Sequence, residues 1–558
     1  MLKNLASRFR GDDLSHPLAS NSGIEGILAG VPRNIPERTL FDLDQWMAES
    51  EHAAGKVSPS RLLESVSRLD EEAVPVIGDC LSRYFDPRGR DHLAEQYWQT
   101  MIGHCRIATA AYLRYLQQTL KPIAEINAAD RKQMAPAALR AMYWLMREKA
   151  LLRIRYRAPD AAWWQKVHDL LARSHACGVA AMRLRVFPKV GEETSVWQEY
   201  AQGLYFELAP VGSLSPDNIE TLDRILRIIA PAFQLKVDCA GCDYSVDLTG
   251  TVGPVKIEPG STQGPQWRHL SPLSAYNLLL RLAGQVKAAK ALPDWLADAP
   301  ADVENVEAML RTLILHWSKQ PPKRRGHRQP RHDELLVVHG FALARRMLAC
   351  SDFARSGRSL QYDSDLVLAH RNRLESHFTT EEHHRREVEI AQEQAAITPL
   401  EVLHKLELGG DRAMMEKWAL SDISGVGLGA HIPHLRAVHG VGNLVGFRFA
   451  NEVDWRLGVI RRIGHTDEGK ISVGLESLPN GPAVCAQAKP ATPAGKTAWH
   501  EIEGSGLGYL DALMVSPEGN ELVLPAGAFG PKLPVELRVA GRERHILLTE
   551  LIEHGKDF

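Results

Sequence analysis

A chain of 558 residues is too long for one small barrel or bundle and points to about three domains, each with its own core. Its 66 Lys and Arg nearly balance 68 Asp and Glu, which argues against a general polyanion-binding surface, so neither DNA nor RNA is expected as a partner. The composition is 44% hydrophobic and 24% charged, as in globular proteins. No run of about 18 apolar residues offers a membrane span. Seven scattered cysteines do not make a disulfide scaffold. The polar N-terminus lacks a signal-peptide core, so the expected location is cytoplasmic.

Residues 1–38 carry Asp, Ser, Pro and Gly without periodicity and read as a flexible N-terminus. Residues 39–318 read as a mainly helical effector or interaction region. His92–Leu120, Ala137–Leu152, Trp163–Leu171, Ile219–Ile229, Ala275–Ala291 and Asp302–Trp317 have helical spacing. A small mixed part near 186–257 holds strand-like Gln234–Val237 and Tyr244–Val246. Residues 319–332, rich in Pro and Arg, read as a linker bearing Lys323, Arg324, Arg325 and Arg328. Residues 333–482 read as a β-barrel. Its strands are Glu334–Gly340, Lys417–Ser421, Leu444–Phe449, Trp455–Ile463 and Ile471–Leu478, and a polar helical insertion falls near 350–400. After a Pro-rich linker at 490–495, residues 496–558 read as a further small β-unit, with runs at Tyr509–Val515, Glu521–Pro525, Val535–Val539 and His545–Leu548. The fold class is therefore multidomain α+β.

Two short motifs carry the chemistry. Arg324 and Arg328 form Arg-x-x-x-Arg, and Asp422, Ser424 and Gly427 form Asp-x-Ser-x-x-Gly. Arginine forks pair with phosphates and with guanine O6 and N7, while a carboxylate and a hydroxyl accept from guanine donors. Asp422 and Ser424, two apart on a strand, share a face. Glycine lets a backbone approach a flat ligand. Arg-x-x-x-Arg recurs at Arg153 and Arg157 inside a helical stretch, where it reads as ordinary surface residues. Asp-x-Ser-x-x-Gly also fits a plain strand-closing turn.

The two motifs, with the strands that follow at 444–478, resemble PilZ domains, the small barrels that bind the bacterial messenger cyclic di-GMP. The resemblance implies a PilZ-like barrel with cyclic di-GMP as ligand. It places Arg324, Arg325, Arg328, Asp422, Ser424 and Gly427 at the ligand. It also implies no catalytic residues, no metal, no further cofactor, and outputs in motility, pili or biofilm. One departure is that the arginines precede the Asp-x-Ser-x-x-Gly strand by far more residues than in that family. Either a helical insertion follows the first strand, or Arg324 and Arg328 are a coincidental basic linker. The insertion is adopted, because residues 323–331 lead straight into a strand.

In this reading the ligand orders the arginine arm and reorients the helical region, which controls an unidentified protein partner. Two other readings stay open. One is a degenerate PilZ protein that binds partners and no nucleotide. The other is a soluble metalloenzyme built on His370, His377 and His384, or on Cys239 and Cys242. The three histidines recur every seven residues, about 10 Å apart on a helix, too far to share an ion. The cysteines supply half of a usual zinc set. Trp163 and Trp164 read as core or interface anchors. No Walker or dinucleotide-binding glycine loop is present, since Gly425–Gly429 lacks the right third glycine and Pro433 breaks the helix that should follow.

Overall fold

The computed structural model describes residues 16–558 apart from 87–90, 120–124, 189, 259–263, 322–327, 357–397, 408–413, 437, 467–468, 479–482, 491–509, 516–520, 540–541, 554 and 556–557. The chain divides into two compact units, residues 1–323 and 324–558.

The first unit is helical: α1 (Asn21–Gly30), α2 (Pro36–Ala53), α3 (Pro59–Tyr84), α4 (Asp91–Gln118), α5 (Ala128–Ile154) and α6 (Ala161–Ala176). After a hairpin of β1 (Leu184–Phe187) and β2 (Val190–Thr194) come α7 (Val196–Glu207) and α8 (Pro216–Ile229). A three-stranded antiparallel sheet holds β3 (Tyr244–Asp247), β4 (Val255–Lys256) and β5 (Trp267–Leu270), and α9 (Leu273–Ala289) and α10 (Val303–His316) close the unit. The sequence starts these helices with polar caps. Ser20, Asp160, Ser195, Ser215 and Asp302 each accept a first-turn amide, and Asn127 forms a reciprocal capping box with Asp130.

Residues 16–38 are not loose. Ser20 caps α1, whose Ile24 and Ile27 are buried, and Pro36 opens α2; a ten-residue helix shows too few turns for its period to stand out. Residues 1–15 lie outside the described residues. Gln234–Val237 is not a strand, and only Lys236 bridges, to His269. Trp163 and Trp164 are both buried.

Helix α5 is buried nearly all round, including Arg140, Arg147, Glu148 and Lys149. Buried charges require partners, and α5 has them. Arg147 reaches Asp223 at 2.5 Å and Glu220 at 3.1 Å on α8, and Arg140 reaches Glu71 at 2.6 Å. On α4, fully buried His104 lies 2.6 Å from Asp44 and 3.4 Å from Asp70. Burial alone would lower its pKa, but the two carboxylates outweigh that and lift it to about 9 from 6.5. A pKa raised on folding contributes stability that is complete below the unfolded value of 6.5 and is lost as pH rises through 9. The melting temperature should therefore fall between about pH 6 and pH 10 more steeply in the parent than in His104→Gln. Parallel curves would show that His104 carries no such proton.

The second unit begins with β6 (Gln329–Pro330), β7 (Glu334–His339), α11 (Phe341–Arg355) and α12 (Pro399–Glu407). Next come β8 (Glu416–Ser424), β9 (Gly427–Ile432), β10 (Leu444–Phe449), β11 (Arg456–His465) and β12 (Ile471–Leu478). Strands β8-β7-β10-β11-β12-β9 pair antiparallel in that order, and β9 pairs back onto β8, closing a six-stranded barrel. Strand β6 adds to β8 outside the ring. Leu335, Val337, Trp418, Leu420, Leu428, Phe447, Ile460, Val473 and Leu475 are buried with 3% exposure or less, apart from Leu428 at 4%. Cross-strand partners such as Leu335 with Trp418, Val337 with Phe447 and Leu428 with Leu475 put this set on one face, the barrel interior.

Helix α11 packs on the outside of the same strands. Its Phe341, Ala344, Met347 and Leu348 share a core with Val338, Leu444, Leu457 and Val459. Gly446 permits the approach, since a Cβ there would meet Ala344 at 3.2 Å. The C-terminal sheet is β13 (Val484–Pro490), β14 (Leu510–Met514), β15 (Leu522–Val523), β16 (Leu533–Val539) and β17 (Arg542–Leu548), in the order β15-β14-β13-β16-β17. Its Leu513, Val515 and Val523 join the α11 core, so it packs on the barrel. The further β-unit therefore begins at Val484 rather than 496, and Pro490 ends a strand instead of opening a linker. Gln329 and Pro330, placed above in the 319–332 linker, pair in a sheet. Helices α11 and α12 lie between β7 and β8, on either side of residues 357–397, which are outside the described residues together with His370, His377 and His384.

Candidate ligand-binding site

Pairing of β6 with β8 brings Arg328 of the first motif to Asp422 of the second. Strand β6 pairs with β8 through Gln329 with Ile423 and Pro330 with Asp422, and the Arg331 amide donates to the Ser421 carbonyl at 3.0 Å. Arg328 is thus placed beside β8, and its guanidinium meets the Asp422 carboxylate at 2.6 Å. Both side chains are partly exposed, so the pair is open to exchange with a ligand. The Ser421 hydroxyl donates to the second Asp422 oxygen at 3.1 Å.

A bulge between Leu420 and Asp422 shifts the alternation of β8. Before it, Trp418 and Leu420 point inward; after it, Asp422 and Ser424 lie opposite Gly429 and Gly427 on the outer face. The Ser424 hydroxyl donates to the Gly427 carbonyl at 3.1 Å. Gly427 is required by space, because a Cβ there would run into the Leu475 carbonyl. The residues Arg328, Asp422, Ser424 and Gly427 therefore form one patch, while Arg324 and Arg325 lie outside the described residues. Chemically it offers a guanidinium, a carboxylate, a hydroxyl and bare backbone, a set able to bind a purine edge and a phosphate.

The second Arg-x-x-x-Arg is occupied elsewhere. Arg153 pairs with Glu207, and Arg157 lies 4.9 Å from the Trp98 ring centre. Among the described residues, one group has metal-ligand spacing: His339, Glu416 and His439, at the other end of β8. Its Glu416 and His439 are already engaged. Glu416 accepts from Arg436, from Trp418 Nε1 at 2.7 Å and from His439 Nε2 at 2.8 Å. His439 Nδ1 accepts the Arg436 amide at 2.9 Å, so its one proton sits on Nε2, the atom a cation would need. Burial, with the neighbouring His339 and Arg436, pushes its pKa down to about 3 and keeps the ring neutral. The group is a carboxylate hub pinning β8 to β7 and to the loop before β10. Cys239 and Cys242 flank a turn with Gly241 at φ 71° and are free thiols.

Sequence reasoning missed the Gly429 position. A Cβ there would meet the Asp422 carboxylate at 2.5 Å, so this glycine is what lets Asp422 lie across β9. Only the strand register reveals it.

Among the described residues, no helix is long and apolar enough to cross a membrane. Neither a curated protein nor a solved structure matches the chain. A family model matches less than half of it, wholly within the first unit and apart from the patch on the barrel. Residues 23–239 match the model described as the N-terminal domain of the cyclic-di-GMP receptor FimW.

Proposed function

We propose that this chain is a non-enzymatic cyclic di-GMP receptor whose ligand binds the outer face of a PilZ-like barrel. The ion pair between Arg328 and Asp422 carries the reading, because it joins residues of both motifs on one surface. The match at residues 23–239 supports it independently, since it concerns a different part of the chain. In this reading Asp422 and Ser424 accept from a guanine edge, Arg328 turns from Asp422 to the ligand, and Arg324 and Arg325 follow on the same arm. Residues 329–331 are already held by β8, so the ligand acts on the arm upstream of them. The ordered arm alters what the attached helical region offers to a protein partner in motility, pili or biofilm control. A ligand achieves this only through unequal affinity for two states of the arm.

Calorimetric titration with cyclic di-GMP tests the reading. The parent should bind, and Asp422→Ala should weaken binding by about 1–3 kcal/mol, the range for one good polar contact to a base. Equal affinity in a folded Asp422→Ala protein would remove the site from Asp422.

A further inference from the structure

The registers of four strands draw a continuous row across the outer face of the barrel. Asp422 on β8 faces Gly429 on β9, Gly429 faces Gly474 on β12, and Gly474 faces Arg462 on β11. Cross-strand partners share a face, so a carboxylate and a guanidinium bracket two adjacent glycines. At a strand spacing of about 4.8 Å, three steps put the two backbones about 14 Å apart. Neither glycine adds a side chain of its own to the strip between them: the Asp422 carboxylate lies over Gly429, and the backbone at Gly474 is open. A Cβ at 429 would meet the Asp422 carboxylate at 2.5 Å, and one at 474 would lie 3.5 Å from the Arg462 Cβ, so a side chain at either position would fill the strip.

The flanks of the strip also bear on a ligand. His431 sits two residues beyond Gly429 on the same face, opposite Ser472, and its Nδ1 is buried with no hydrogen-bond partner among the described residues. Such an atom is costly unless something else satisfies it. Arg462 is exposed and has no ion pair among the described residues, whereas neighbouring Arg461 is held by Glu476 and Glu553. A bulge between Ile460 and Arg462 turns Arg462 outward beside Gly474, while Ile460 and Ile463 stay inside.

We propose that Arg462 is a ligand-contacting residue. Resting on the cyclic di-GMP reading above, the dinucleotide lies flat on Gly474, against the Asp422 carboxylate that covers Gly429. One guanine is held at Asp422 and Ser424, and an anionic or carbonyl oxygen of the ligand's far half is held by Arg462. Gly474 accepts the flat face that a side chain would exclude, and His431 closes the lower edge of the strip.

The test is cyclic di-GMP titration of the full chain as parent, Asp422→Ala, Arg462→Ala, Arg462→Lys and Arg544→Ala. Arg544 is an exposed cation on β17 and controls for general loss of charge. Arg462→Ala should weaken binding about tenfold to a hundredfold, with Arg544→Ala unchanged. Arg462→Lys should recover binding to a phosphate oxygen, as a point charge does, but should stay weak if the partner is a guanine edge that needs the two-point fork. Gly474→Val should lose binding with its circular dichroism unchanged. Parent-like affinity in Arg462→Ala, beside a loss in Asp422→Ala, would overturn the role of Arg462 and leave the receptor reading standing. Equal losses in Arg462→Ala and Arg544→Ala would reduce the effect to overall charge and overturn it too. A parent chain that binds no cyclic di-GMP would overturn both.

Discussion

Arg147→Ala is expected to destabilise the helical unit by about 3–5 kcal/mol, the cost of breaking a buried ion pair by removing one partner. Arg147 is the single guanidinium from α5 set between Glu220 and Asp223, and all three side chains are nearly inaccessible. Burial works against its charge, and the two carboxylates hold it well above the usual arginine range. Without it, Asp223 keeps Arg227 but Glu220 faces α5 with less compensation. Arg147→Lys should rescue only part of the loss, because an ammonium cannot address two carboxylates in one plane. Urea denaturation followed by circular dichroism measures the shift. A midpoint within experimental scatter of the parent would mean that the α5–α8 contact is held by its apolar residues alone.

The Arg324→Ala, Arg328→Ala double variant is expected to lose most of the affinity for cyclic di-GMP, by about 2–6 kcal/mol if each fork contributes about 1–3 kcal/mol. For Arg328 the argument has a geometric basis in its contact with Asp422. For Arg324 it rests on the motif. Replacing Arg153 and Arg157 should leave ligand affinity unchanged, since both are engaged within the helical unit. Calorimetry on both doubles separates them, and unaltered affinity in the first would make the arginine motif a coincidence of composition.

How far the sequence disclosed this arrangement depended on the kind of signal. Leu444–Phe449, Trp455–Ile463 and Ile471–Leu478 were legible because β-branched and aromatic residues run between clear turns. Strand β9 was hidden by Gly427 and Gly429, which weaken strand preference and suggest a loop. Strand β13 was hidden by its alanines and terminal Pro490, residues with little strand preference of their own, and is held by β14 and β16 on either side. In the candidate site, the shared face of Asp422 and Ser424 could be read from their spacing alone. The row that sets Arg462 beside Gly474 and Gly429 could not, because two bulges intervene and only the closed ring sets the register.

The core beneath α11 has a consequence for how the second unit comes apart. Leu513, Val515 and Val523 from the C-terminal sheet fill the same space as Leu444 and Leu457 from the barrel. A stretch of chain that supplies part of a neighbour's interior cannot detach without exposing that interior, so the two sheets behave as one opening unit. Amide protons of β10 and β14 should then exchange with solvent at matching free energies, and a nick between them should loosen both sheets together.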